Sequence, residues 1–168
     1  MRPLDPAILG KLYRQHAPAL RLYARQWGDA SEDFVQDAFV RLAQESPPPE
    51  RVLPWLYRVV RNQALASRRS SVRRRRREET ASGKEVWFGV VDDHLDAKEA
   101  SRMLEKLPLE VREIIIARLW SGLTFEDAAQ LAGCSLATAH RRYLAGLAEL
   151  RERLEGQWTR FPPAPTAT

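Results

Sequence analysis

The stretch Gly122 to Leu154, GLTFEDAAQLAGCSLATAHRRYLAGLAELRERL, limits the possible folds of this chain more than any other. It predicts a short helix, a tight turn and a longer helix. Thr124 stands where the first helix needs a cap, with Asp127 three residues on as its capping-box partner. Ala128, Ala129 and Leu131 follow as small apolar packing positions. Gly133 is the turn residue, because glycine enters a left-handed conformation without steric cost. Ser135 caps the second helix. There Leu136, Ala139, Tyr143, Leu147, Leu150 and Leu154 recur at helical spacing and make one apolar stripe. Thr138, His140, Arg141 and Arg142 are left near the helix N-terminus, mostly pointing outward. A helix with a buried back and a front of hydrogen-bond donors suits a major groove. An ordinary helical hairpin with a solvated basic face has the same periodicity. Small residues at Ala129, Gly133 and Ala139 favour the close crossing of a helix-turn-helix.

The remaining composition narrows the class. A length of 168 residues gives room for one compact domain or two small helical ones. The net charge is +5 with arginine dominant, which favours nucleic acid or an acidic membrane as partner. No run of about 18 apolar residues exists to span a membrane, and the N-terminus lacks the apolar core of a signal peptide. The single cysteine, Cys134, permits no internal disulfide and fits a reducing, cytoplasmic setting. Catalysis finds little support. His16, His94 and His140 fall in three separate segments, none beside a plausible nucleophile. The acidic cluster DDHLD at 92–96 lacks a second ligand group for a metal. No catalytic residue, metal or cofactor is expected.

Helical periodicity dominates in chain order, and the fold class is all-α. VWFGVV (86–91) alone resembles a strand, but an isolated strand has no partner. Pro6 opens a first helix to about Arg14, and Pro18 a second that carries Leu20, Leu22, Tyr23 and Trp27. Asp29 and Glu32 form a capping pair for a third, Ala30 to about Gln44, packed through Phe34, Val35, Ala38, Phe39 and Leu42. SPPPE (46–50) stops it. A fourth helix begins near Val52 with Trp55, Leu56, Val59 and Val60, and ends in arginines that culminate in Arg73 to Arg77. An acidic connector follows. Asp96 and Glu99 then cap a helix from Ala97 to Lys106, and Pro108 opens another through Ile114, Ile115, Ile116 and Leu119. The expected organisation is a four-helix unit over 1–77, a flexible linker over 78–96, a helix-turn-helix unit over 97–156 and a disordered tail over 157–168.

Three segments together resemble the bacterial sigma-70 family, in its small extracytoplasmic-function (ECF) type. SEDFVQDAFVRL (31–42) is similar to the region two motif, and WLYRVVRN (55–62) resembles the tryptophan-led promoter-melting helix. LEKLPLEVREIIIARLWSGLTFEDAAQLAGCSLATAHRRYLAGLAELRERL (104–154) looks like region four nearly end to end. The sequence departs from the family at Ala66, where an aspartate is usual, and in its proline-rich loop before Trp55.

The resemblance implies a transcription initiation factor that binds core RNA polymerase and directs it to promoters. Asp33, Gln36, Asp37, Phe39 and Arg41 fall where the family meets the β′ clamp helices, and region four implies contact with the β flap. Asn62 falls where the family captures a flipped base of the minus-ten element, whose free Watson–Crick edge an amide can read. Trp55 accompanies it as a packing anchor, and Arg58, Arg61, Arg68 and Arg69 could hold phosphates along the same helix. Arg118, Ser135, Thr138, His140, Arg141 and Arg142 align with the positions that read the minus-thirty-five element. The linker acids Asp92, Asp93 and Asp96 fall where the family threads the RNA-exit path. Many members are held inactive by an anti-sigma factor, which makes such a protein a candidate partner. The competing reading is a free-standing helix-turn-helix regulator, which would bind duplex DNA without polymerase.

Overall fold

The computed structural model describes residues 4–28, 30–75 and 102–158, all helix or connecting turn. The expected strand-like run at 86–91, the acidic linker, the Asp96/Glu99 cap and most of the tail lie outside the described residues. Helix α1 (Pro6–Ala24) starts as expected, with Pro6 in the first turn and the Asp5 carboxylate accepting from the Ala7 amide at 2.7 Å. It does not stop before Pro18. The two expected helices are one, and among the described residues the N-terminal unit has three α-helices rather than four. A mid-helix proline removes one hydrogen bond, but Pro18 is exposed, so water can serve the freed carbonyl of Arg14. Ala17, Leu20, Tyr23 and Ala24 are buried and hold the backbone in register past it. Packing outweighs the local penalty.

A single 3-10 turn (Arg25–Trp27) leads to α2 (Ser31–Gln44). Of the anticipated Asp29/Glu32 cap, Asp29 lies outside the described residues. Ala30 is the N-cap and offers no side-chain hydrogen bond, while Glu32 reaches across to α1, accepting from Arg21 at 3.1 Å and from the Tyr13 hydroxyl at 3.2 Å. Glu32 thus takes part in a cross-helix ion pair. The prolines after Ser46 end α2 as expected, with Glu45 already extended at φ −66° and ψ 127°. Helix α3 (Val52–Arg75) then packs Leu56, Tyr57, Val60 and Ala64 against α1 and α2, each fully buried.

After a helical turn at 102–105 come α4 (Leu109–Leu119), α5 (Phe125–Ala132) and α6 (Leu136–Trp158). Helix α4 is buried through five consecutive residues, Glu113 to Ala117, because it has α5 and α6 on one side and α1 on the other. Its isoleucines therefore serve two neighbours at once. The N-terminal and C-terminal helices share one buried cluster that runs from Ala17 to Ala139. Among the described residues, no helix is long and apolar enough to cross a membrane.

Two tyrosines at the centre of this cluster make the fold sensitive to alkali. Burial pushes the Tyr23 hydroxyl well up, and the neighbouring Glu113 carboxylate pushes it further. Burial also pushes Tyr57 far up, only partly offset by the Ser121 hydroxyl. Both groups stay protonated in the folded chain but ionise near pH 10 once unfolded. Their contribution is complete below about pH 10 and is lost as pH rises above it. A pH titration followed by far-ultraviolet circular dichroism should show tyrosinate absorbance and loss of helix appearing together. Ionisation of both residues in a fully helical chain would contradict this.

Candidate nucleic-acid interface

The turn between α5 and α6 is built as its residues dictate. The Thr124 hydroxyl accepts from the Asp127 amide at 3.1 Å, and the Asp127 carboxylate accepts from the Thr124 amide at 3.4 Å, so the capping box is complete. Gly133 is left-handed at φ 66° and ψ 37°, and the Cys134 amide closes the turn on the Ala129 carbonyl at 3.0 Å. Ser135 caps α6 by accepting from the Thr138 amide at 3.1 Å. Replacing Thr124 with alanine should lower the thermal stability of the C-terminal helices by about 1 kcal/mol in calorimetry. A loss near zero would mean that the box is not contributing.

The front of α6 is open. Ser135, His140 and Arg141 are exposed, with Thr138 and Arg142 half-buried beside them. Arg141 donates to the Thr138 hydroxyl at 3.3 Å, and that hydroxyl also accepts from Ser135 at 2.9 Å, which links three of the expected reading residues. Behind them Ala139 is fully buried, whereas Leu136 and Leu154, at the two ends of the expected apolar stripe, are 42% and 45% exposed. The stripe outruns the helices available to cover it.

Phe125, which the sequence did not single out, organises this surface. The His140 ring stacks on it at 3.8 Å between centroids with planes 26° apart, and the Arg118 guanidinium lies 4.3 Å over the ring. Tyr143 meets its edge at 5.2 Å. Arg118 also donates to the Leu123 carbonyl. Arg118 and His140, expected from separate helices, are thus held on one aromatic platform. An aromatic residue just inside a capped helix gives no such signal by periodicity.

Helix α3 carries the second basic surface. Arg58, Asn62, Arg68 and Arg69 are exposed, and Arg69 donates back to the Leu65 carbonyl at 3.3 Å. Trp55 is half-buried against the core, in keeping with an anchor. Arg61 lies apart from them. Its Nε donates to Glu113 of α4 at 2.6 Å, and its side chain is 23% exposed. Burial alone would pull this guanidinium down, but Glu113 and Tyr23 together hold it above its ordinary value.

On α2, Asp33, Gln36, Asp37 and Arg41 share an exposed face. Arg41 pairs with Asp37 at 2.9 Å, and Gln36 donates to Glu32 at 3.4 Å. Phe39 does not belong to that face. It is 5% exposed and meets the Tyr13 ring edge-on at 5.0 Å, so it is part of the core that supports the face.

The chain matches known families over both units. A family model described as Sigma-70 region 2 matches residues 12–77, and one described as Sigma-70, region 4, matches residues 97–150. The chain is 36% identical over 136 residues to the ECF RNA polymerase sigma factor EcfG of Rhodopseudomonas palustris (strain TIE-1), which covers 74% of this chain and 73% of that one. It is 28% identical over 156 residues to the RNA polymerase sigma factor CarQ of Myxococcus xanthus, with 85% and 87% covered. Among solved structures it is similar to the sigma factor RpoE in complex with the anti-sigma factor NepR from Bartonella quintana. There the TM-score is 0.74 at 26% identity, over 90% of this chain and 98% of that one. The fold is also shared with CnrH in complex with the cytosolic domain of CnrY, at a TM-score of 0.59 and 24% identity over 90% of each chain.

Proposed function

The chain belongs to the sigma-70 family, in its extracytoplasmic-function type, and from that membership we propose roles for its individual surfaces. The protein is a transcription initiation factor, acting with RNA polymerase at promoter DNA. Residues 1–77 form the unit that binds the polymerase and opens the minus-ten element, and 97–156 the unit that reads the minus-thirty-five element. The linker 78–96 joins them. The observation that carries this reading is the exposed front of α6 behind a capped turn, in a chain whose other half matches region two.

Asp33, Gln36, Asp37 and Arg41 face the β′ clamp helices, and their shared exposure on α2 supports this. Phe39 supports that face from beneath. Asn62 reads an unstacked base, and Arg58, Arg68 and Arg69 hold phosphates beside it. Ser135, Thr138, His140, Arg141 and Arg142 enter the major groove, with Arg118 alongside. An anti-sigma factor, the partner named for the similar structure from Bartonella quintana, is a further expected partner.

Size-exclusion chromatography with bacterial core RNA polymerase tests the assignment. Wild type should co-elute, and Asp33→Ala/Gln36→Ala should weaken co-elution. Elution of the wild type alone, with duplex DNA still shifted, would instead favour a free-standing regulator. Within the holoenzyme, Arg141→Ala should reduce discrimination among minus-thirty-five sequences by about 1–3 kcal/mol. Competition footprinting would read this as a loss of preference larger than the loss of total binding. An equal loss on every sequence would reassign Arg141 to phosphate.

A further inference from the structure

The ring of Phe125 is covered by polar side chains. Ala128 and Ala129 are buried and carry the packing of α5, whereas Phe125 is only half-buried. Its backbone is fixed by the helix start. It is the opening residue of α5, directly after Thr124, and the capping box between Thr124 and Asp127 keeps that first turn from fraying. The edge contact with Tyr143, at 5.2 Å and 84°, then fixes the ring. Tyr143 follows His140 by three residues on α6, so the two reach the same side of that helix. His140 stacks on the ring, and Arg118 lies over it while donating to the Leu123 carbonyl. Three elements thus meet on one side chain: the last turn of α4, the first residue of α5 and the front of α6.

We propose that Phe125 is a positioning residue for duplex recognition: its ring holds His140 and Arg118 in one register, so that the two contribute to minus-thirty-five discrimination as a unit. The proposal deepens the reading of α6 given above and rests on it. A free histidine or arginine side chain populates several rotamers, and freezing it only when DNA arrives weakens binding. A side chain frozen beforehand is also less able to re-aim at a wrong base, and discrimination depends on that inability. Stacking with planes 26° apart leaves the imidazole nitrogens at the rim of the stack, where they can meet a base edge or a phosphate. Both side chains are attracted to the face of an aromatic ring. An aliphatic side chain of similar size would fill the same space and orient neither. Phe125 itself need not touch DNA.

The test compares Phe125→Leu with Phe125→Tyr, which keeps the ring, in holoenzyme made with the full-length chain. In promoter competition, Phe125→Leu should reduce the preference for the favoured minus-thirty-five sequence over substituted ones by about fivefold. Phe125→Tyr should stay within about twofold of wild type. His140→Ala should lose about as much as Phe125→Leu, and the double variant no more than about twofold beyond either, because the ring acts through the histidine. Proton NMR of the free chain supplies a signature that a role in stability alone would not move. The carbon-bound ring protons of His140 should be shifted upfield by the Phe125 ring in wild type and Phe125→Tyr, and return to ordinary positions in Phe125→Leu. If Phe125→Leu lacks a cooperative thermal transition, Arg118→Ala and His140→Ala carry the test, and together they should lose less than the product of their separate losses. Equal loss on every sequence, multiplicative losses in either pair, or unmoved His140 protons would overturn the proposal. Failure of the wild type to co-elute with polymerase would instead sink the sigma-factor reading. The same pairs of variants, measured by the free chain on duplex DNA, would then decide the role of Phe125 separately.

Discussion

Gly146→Val is expected to abolish the folded helix-turn-helix unit at temperatures where the wild type is intact. Gly146 is buried where α6 crosses α4. A Cβ there would come within 2.7 Å of Val111 Cγ1 and 2.9 Å of Ile115 Cγ1. Both of those atoms belong to β-branched side chains, which have little rotamer freedom on a helix. Ile115 is fully buried and has nowhere to retreat. Valine adds two further methyl groups to the clash, so α6 must lift off. Overpacking of this kind costs about 1–3 kcal/mol and occasionally more, a large share of the ~5–15 kcal/mol that stabilises a small domain. Calorimetry should record a fall of about 10 °C or more for the C-terminal helices. Gly146→Ala should lose less, because its single methyl is partly offset by about 1 kcal/mol of better helix propensity. Equal stability of glycine and valine variants would mean that the crossing is looser than its distances indicate.

Tyr23→Ala should have the largest effect on the N-terminal helices. Tyr23 is fully buried, meets Trp27 and Tyr57 edge-on with centroids 5.0 Å apart in each case, and donates to Glu113. Removing an aromatic ring from such a site costs about 3–5 kcal/mol through lost burial and the cavity left behind. The expected result is a marked loss of thermal stability, read by circular dichroism, together with separation of the units. Tyr23→Phe keeps both ring contacts and removes only the hydroxyl. Its loss should be about 1 kcal/mol, so the difference between the two variants separates packing from the cross-unit hydrogen bond. Similar losses in both would assign the effect to the hydroxyl instead.

The helix-turn-helix was legible because its determinants are local. Thr124 with Asp127, Gly133 at positive φ and Ser135 with Thr138 each act within a few residues, and all three stand in the structure where the sequence puts them. Errors arose where a distant partner overrode a local preference. Pro18 should open a separate helix, but the core contacts of Ala17, Leu20 and Tyr23 carry α1 through it. Glu32, in the first turn of α2, pairs across to Arg21 of α1. Phe39, which falls both on the family motif and on the packing stripe of α2, lies in the core against Tyr13.

The sequence by itself determined an all-helical fold, the two units in their order and the exposed polar front of α6, because helical period, caps and turn chemistry are short-range properties. Only the tertiary structure decided that Phe125 joins Arg118 to His140, and that Glu113 leaves a run of buried isoleucines to meet Tyr23 and Arg61. Glu113 is 90 residues from Tyr23 and 52 from Arg61 along the chain. Such a pairing carries no periodic signature, since it depends on how two units dock and not on how either one folds.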